Sequence, residues 1–155
     1  MIFVVMPTRF KPSATSIPYV LLVDDNLSGL AARRAVLEEL GFKTAGAAGP
    51  KEALQIFRNC TFDLVVTDYK MPDMDGVEFI KKLRAENSEI PVVLISGFVD
   101  ALGLTEKSTG ASVVIMKSAN EVQHLIRAVN RMLRMQKKPP ARARSGSASR
   151  KAAAS

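Results

Sequence analysis

Short apolar runs alternate with amphipathic stretches through the middle of the chain. The runs occur at Tyr19–Val23, 62–67, 91–95 and Val113–Met116, and a weaker one lies at Lys43–Ala47. They lack the alternation of apolar and polar residues that marks a half-exposed strand, so they are typical of parallel strands covered on both faces. The pattern predicts five buried parallel strands.

The stretches between and after these strands have helical periodicity. Gly41 stands where a glycine commonly follows a helix, and Pro50 stands where a proline commonly begins one. Gly103, with nearby serine and β-branched residues, weakens the fourth stretch as a helix. In the last stretch we expect Val122 and Leu125 to face inward. The predicted helices are 27–40, a helix beginning at Pro50, 77–87, 98–109 and 121–135.

Five strands and five helices in strict alternation predict an α/β fold, because parallel strands need crossover helices of about this length. We expect a flavodoxin-like doubly wound (βα)5 sandwich with a parallel sheet in the order 2-1-3-4-5. In such sheets the site lies beyond the carboxyl ends of the strands, where the first and third strands diverge.

The charge of the chain is concentrated at its ends. The 155 residues carry a net charge of +7, but residues 12–136 contain 14 basic and 15 acidic residues. The rest of the basic charge lies on Arg9, Lys11 and the six basic residues of 137–155. We therefore predict a flexible N-terminal extension at 1–17, one folded domain at 18–136 and a basic disordered tail at 137–155.

The two ends of the chain and its single cysteine bear on nucleic-acid binding, membrane insertion and disulfide formation. The tail has no apolar pattern for a helix-turn-helix, so we expect no specific nucleic-acid partner, although nonspecific binding of DNA by the tail stays an alternative to an inert linker. The apolar run 1–6 stops at Pro7 and resembles neither a signal peptide nor a membrane span. Because Cys60 has no partner cysteine, we expect a cytoplasmic protein without disulfides.

Polar residues stand at the carboxyl ends of four predicted strands. They are Asp24 and Asp25, then Asp68, Ser96 and Lys117. Each alone has an ordinary explanation as a cap, a turn residue or a solvated lysine, but the fold brings all of them to one edge. Three carboxylates without His or Cys favour Mg²⁺, and a lysine and a hydroxyl suit phosphoryl oxygens. The set predicts phosphoryl transfer to a carboxylate.

Two motifs carry a resemblance to a known family. They are LVDDN at 22–26 and VVTDYKMPDMDG at 65–76. With Ser96 and Lys117 in order and at similar spacing, residues 18–136 resemble the receiver domain of bacterial two-component response regulators, of the chemotaxis-receiver type. The resemblance implies a single-domain response regulator in which Asp68 takes a phosphoryl group from a histidine kinase or a phosphotransfer protein.

The resemblance also implies a Mg²⁺ site and a readout. The metal would be held by Asp25, Asp68 and the backbone carbonyl of Lys70, with Asp24 acting mainly through a coordinated water. Lys117 and Ser96 would contact the phosphoryl group.

The domain would then assist its own phosphorylation and dephosphorylation, without being an enzyme for other substrates. It would pass the signal to an unknown effector protein by a conformational change around the fourth helix, fifth strand and fifth helix. The same face would support a weak or phosphorylation-dependent homodimer, and we expect no membrane partner.

Three positions bear on how the domain would work. Family members commonly have Lys-Pro after the last strand, often with a cis peptide, where this chain has Lys117 and Ser118. The aromatic residue three positions before that lysine is replaced by Val114. Lys70 stands where family members tune the lifetime of the phosphoryl group, so we hypothesise that it alters hydrolysis; a solvated lysine is the alternative.

Other functions fit the sequence less well. A haloacid-dehalogenase-like phosphatase would need a second Asp two residues after the nucleophile, where Lys70 stands. A nucleotide- or flavin-binding protein would need a glycine-rich loop after the first strand, where Asp24 and Asp25 stand. A receiver that serves only as an interaction platform stays open because of Val114 and Ser118.

Overall fold

A computed structural model describes residues 17–137, so the predicted N-terminal extension, apart from Ile17, and the tail beyond Lys137 lie outside the described residues. Five parallel strands form one sheet in the order β2-β1-β3-β4-β5. The predicted fold class and strand order are therefore confirmed. The strands are β1 (Tyr19–Val23), β2 (Lys43–Ala47), β3 (Leu64–Asp68), β4 (Val92–Ser96) and β5 (Val113–Met116).

Two of the longer helices follow a residue whose side chain accepts a hydrogen bond from a free backbone N–H group. The side chain of Asn26 accepts a hydrogen bond from the N–H of Gly29, and Asp75 accepts one from the N–H of Glu78. Pro50 is the first residue of its helix, as predicted. The helices are α1 (Leu27–Glu39), α2 (Pro50–Asn59), α3 (Gly76–Glu86), α4 (Val99–Leu102), α5 (Glu106–Thr109) and α6 (Glu121–Lys137).

The prediction of a single helix between the fourth and fifth strands is wrong, because two short helices occupy this segment. Gly103 ends α4 in the left-handed conformation with φ of 63°. Thr105 and Ser108 then start α5 with reciprocal side-chain to backbone hydrogen bonds. Gly110, with φ of 83°, ends α5 after one turn. Two left-handed glycines seven residues apart leave no room for a regular helix.

The core lies on both faces of the sheet. In β1, Leu21 and Val23 face one apolar cluster, and Val20 and Leu22 face the other. The first cluster contains the apolar residues of α2 and α3, and the second contains those of α1 and α6. Because both faces of β1 are covered, its residues do not alternate between apolar and polar. Because all five strands are parallel, their carboxyl ends lie at one edge of the sheet.

The inward face of α6 differs from the prediction at one position. Leu125 is fully buried, whereas Val122 lies at the border of the apolar stripe and is 42% exposed, so its predicted burial is wrong. In the range 17–137, no helix combines the length and apolar character that a bilayer crossing requires.

Candidate functional site

The carboxyl edge of the sheet brings the predicted acidic residues together. Carboxylate oxygens of Asp24, Asp25 and Asp68 all lie within 4.8 Å of one another. Asp24 and Asp68 are buried, and Asp25 is exposed. Such a cluster is costly unless cations or protons offset its charge.

Lys117 supplies one of these cations. Its Nζ lies 2.9 Å from Oδ1 of Asp68, while its own side chain is 41% exposed. The contact is close but poorly directed for a hydrogen bond, so this buried oxygen lacks a well-aligned donor. A buried carboxylate oxygen that needs a partner, beside two further carboxylates, fits a hard divalent cation such as Mg²⁺.

The environment of Asp68 disfavours its charged form. Burial raises the pKa of Asp68, and the negative charge of Asp24 acts in the same direction. The close contact with the Lys117 ammonium and the positive charges of Lys117 and Arg33 lower the pKa but do not offset the burial. In the metal-free protein, the carboxylate is therefore short of positive charge.

Arg33 is a site residue that the sequence analysis missed. Its Nη1 lies 2.7 Å from Oδ2 of Asp24, and its Nη2 lies 4.0 Å from Oδ1 of Asp68. One signal was available: Leu30, Arg33 and Leu37 follow the helical spacing of the buried face of α1, and all three are buried. An arginine in an apolar stripe indicates a buried acidic partner.

Ser96 and Lys70 lie at the same edge in different surroundings. Ser96 is buried, and its Oγ accepts a hydrogen bond of 2.9 Å from the N–H of Phe98. The Nζ of Lys70 lies 5.5 Å from the centre of the Phe98 ring, a cation–π contact. The proposed metal ligand in Lys70 is its backbone carbonyl, and this role stays a prediction.

Comparison with known proteins identifies the family. The family profile described as the response regulator receiver domain matches residues 20–130. The chain belongs to the response regulator receiver domain family. Receiver domains are signalling domains of two-component systems, so the resemblance seen in the sequence is confirmed.

The relatives of this receiver domain are longer regulators. It is 35% identical over 79 residues to the transcriptional regulatory protein ZraR of Klebsiella oxytoca, an alignment covering 51% of this chain and 18% of the relative. It is 31% identical over 132 residues to a gliding motility regulatory protein of Myxococcus xanthus, covering 81% and 16%. The aligned part thus spans less than a fifth of either relative.

Solved structures cover the receiver fold more fully. The chemotaxis protein CheY4 of Vibrio cholerae superposes with a TM-score of 0.69 at 27% identity, covering 76% of this chain and 99% of that one. A CheY-like receiver domain protein of Methanospirillum hungatei JF-1 gives 0.70 at 26% identity, covering 80% and 100%.

The departures of this receiver domain from the family pattern have structural counterparts. Among residues 17–137 no peptide bond is cis, so the Lys117–Ser118 bond is trans. Ser118 instead caps the turn into α6, where its Oγ accepts from the N–H of Asn120. The N–H of Val114 donates to a carboxylate oxygen of Glu106 at 3.3 Å, which connects β5 to α5.

Proposed function

We propose that this receiver domain accepts a phosphoryl group on Asp68 from a histidine kinase or a phosphotransfer protein. One observation carries the proposal: Asp68 ends a buried strand inside the acidic cluster, with Lys117 at 2.9 Å. A nucleophilic carboxylate, a neighbouring cation and a cluster of hard oxygen ligands are the parts that phosphoryl transfer requires.

The reaction forms one bond and breaks one. A carboxylate oxygen of Asp68 attacks the phosphorus, and the bond between phosphorus and the donor histidine nitrogen breaks, with its electron pair leaving on the imidazole. The charge of Lys117 stabilises the phosphoryl oxygens. The Oγ of Ser96 accepts from the N–H of Phe98, so its own proton is available for a phosphoryl oxygen.

The residues that would hold Mg²⁺ are Asp24, Asp25, Asp68 and, through its carbonyl, Lys70. Their oxygen atoms match the ligands that Mg²⁺ prefers, and the underpaired oxygen of Asp68 supports the same assignment. Bound Mg²⁺ supplies two positive charges that offset the cluster and the incoming phosphoryl group.

Acetyl phosphate with Mg²⁺ tests the proposal directly. Intact-mass analysis should show the gain of one phosphoryl group in the wild type and none in Asp68→Asn. Asp73→Asn is a matched control because Asp73 is an exposed acid outside the cluster, and it should be labelled like the wild type. If no Asp68-dependent gain occurs and beryllofluoride causes no conformational change, the domain serves only as an interaction platform.

The output surface belongs to the same proposal. Phe98, Leu102 and Met116 are apolar and exposed in the segment after β4 and on β5, which supports a protein partner or a second copy of the chain at this face. Light scattering over a concentration series, with and without beryllofluoride, tests the homodimer.

Three further points stay predictions: the limits of the domain, the single-domain character of the regulator and its cytoplasmic location. The role of the basic tail is also a prediction. Salt-dependent DNA binding that is lost on deletion of 137–155 would favour the electrostatic tail over the inert linker.

A further inference from the structure

Arg33 connects two parts of the molecule that the proposed mechanism treats separately. Its guanidinium contacts Asp24 in the acidic cluster and also Glu121, the first residue of α6. The contacts to Glu121 run from Nε at 2.9 Å and from Nη2 at 2.8 Å to the same carboxylate oxygen. One buried cation is thus shared between the cluster and the start of α6.

Both carboxylate oxygens of Asp24 already have partners. Oδ1 accepts a hydrogen bond of 2.9 Å from the N–H of Asn26, and Oδ2 accepts one of 2.7 Å from Nη1 of Arg33. Each oxygen keeps a second lone pair, so a cation that draws on Asp24 can approach it beside Arg33, and the positive charge of that cation weakens the bond between Asp24 and the guanidinium. The backbone bond is held by the turn into α1, so the bond to Arg33 is the one that can be exchanged.

The guanidinium of Arg33 lies inside the protein beside the acidic cluster. Its side chain is only 9% exposed, so little solvent screens its charge from the carboxylates. In the metal-free protein it compensates part of the charge of three carboxylates. A divalent cation bound at the same carboxylates would be repelled by it at short range.

We propose that Arg33 is a positioning residue that acts as an internal counter-ion of the acidic cluster and competes with Mg²⁺ for Asp24. When Mg²⁺ occupies the cluster, Arg33 shifts its hydrogen bonding towards Glu121. Binding of Mg²⁺ therefore changes the contacts at the first turn of α6. The inference rests on the proposed Mg²⁺ site and adds a connection from that site to α6.

Titration calorimetry with Mg²⁺ on the unphosphorylated full chain tests the competition. Arg33→Met should bind Mg²⁺ more tightly by about tenfold, since it removes one positive charge near the metal and frees an oxygen of Asp24. Glu121→Gln should bind Mg²⁺ about threefold more weakly, because the charged partners that Arg33 then keeps, Asp24 and Asp68, both belong to the acidic cluster. In the Arg33→Met background, the change at Glu121 should have a smaller effect.

Arg34→Met is the matched control. Arg34 adjoins Arg33 on α1, but it is half-exposed and pairs with Glu38 outside the cluster. Its removal changes the net charge of the chain equally, so it should leave the affinity for Mg²⁺ within about twofold of the wild type. Far-UV circular dichroism establishes that each variant is folded.

Hydrogen exchange of the amides at 121–125 tests the connection to α6. Mg²⁺ should slow exchange there in the wild type and in Arg34→Met, and this response should be absent in Arg33→Met and in Glu121→Gln. Arg33→Lys keeps the charge but not the forked contact, so it should retain the weak Mg²⁺ affinity and lose the response at α6.

The outcomes separate this inference from the proposed function. Damage to the fold would weaken Mg²⁺ binding, so tighter binding by Arg33→Met cannot be a structural side effect. Unchanged or weaker binding by a folded Arg33→Met would overturn the inference while leaving the phosphoacceptor site intact. If neither the wild type nor Arg33→Met bound Mg²⁺, both the inference and the metal site would be wrong.

Discussion

The close approach of α3 to the acceptor strand gives the sharpest prediction about stability. Gly76 is the first residue of α3, and a Cβ placed there would lie 2.7 Å from the backbone oxygen of Asp68 and 2.7 Å from Cδ1 of Leu94. Leu94 is fully buried, and the other atom belongs to the backbone. Neither neighbour can yield without moving β3, β4 or the start of α3.

The magnitude follows from two opposing effects. Overpacking a tight site costs about 1–3 kcal/mol of the free energy of unfolding. Alanine is favoured over glycine within a helix by up to about 1 kcal/mol, and by less in the first turn. Because the clash involves both backbone and core, we expect Gly76→Ala to lose about 2 kcal/mol, or about 8 °C in Tm for a domain of this size.

Urea unfolding followed by far-UV circular dichroism measures this loss. Gly97→Ala is the control, because a Cβ at Gly97 meets nothing within 4 Å and its backbone lies outside the left-handed region. We expect the control to stay within about 0.5 kcal/mol of the wild type. If Gly76→Ala were as stable as Gly97→Ala, the described contact between α3 and the acceptor strand would be wrong.

Three further predictions concern charged groups. Burial raises the pKa of Asp68, so between its unfolded and folded pKa values the folded protein binds more protons, and stability falls as the pH rises. In Mg²⁺-free buffer, Asp68→Asn should flatten the fall of the free energy of unfolding with pH and raise that free energy at pH 7. Urea unfolding at a series of pH values measures both, and an unchanged pH dependence would refute the prediction. Lys70→Ala removes the contact with the Phe98 ring, and a change in the dephosphorylation rate is expected; an unchanged rate rejects the role of Lys70 in hydrolysis. Arg84 donates to the carbonyls of Gly110 and Ile90, so Arg84→Met should lose about 1–3 kcal/mol in urea unfolding, and a loss below about 0.5 kcal/mol would contradict these contacts.

The sequence predicted the sheet and the acidic cluster well because both depend on strand ends. A run of apolar residues followed by Asp24 or Asp68 marks a strand and the edge at which it ends, and parallel strands bring these ends together. The position of Lys117 follows from the same rule. No tertiary detail was needed for these residues.

Features that depend on particular side-chain contacts were not predicted. Arg33 is separated by 88 positions from Glu121, and a single sequence gives no sign that the two side chains meet. Val122 lies at the border of an apolar stripe, where packing against α1 decides its exposure. The helix break at Gly103 had a visible cause, but the restart at Thr105 depends on a reciprocal hydrogen-bond pair that the sequence analysis did not consider.

Two separate connections lead away from Asp68 in this domain. Ser96 holds the backbone of Phe98 and so connects the acceptor edge to α4, whereas Arg33 connects the cluster to α6 through Glu121. Val114 has no ring that could couple the first connection to β5, and its backbone N–H donates to a carboxylate oxygen of Glu106 in α5. The two connections therefore involve different elements. In the proposed mechanism, Mg²⁺ alone should act on α6, and phosphorylation should add the response of α4.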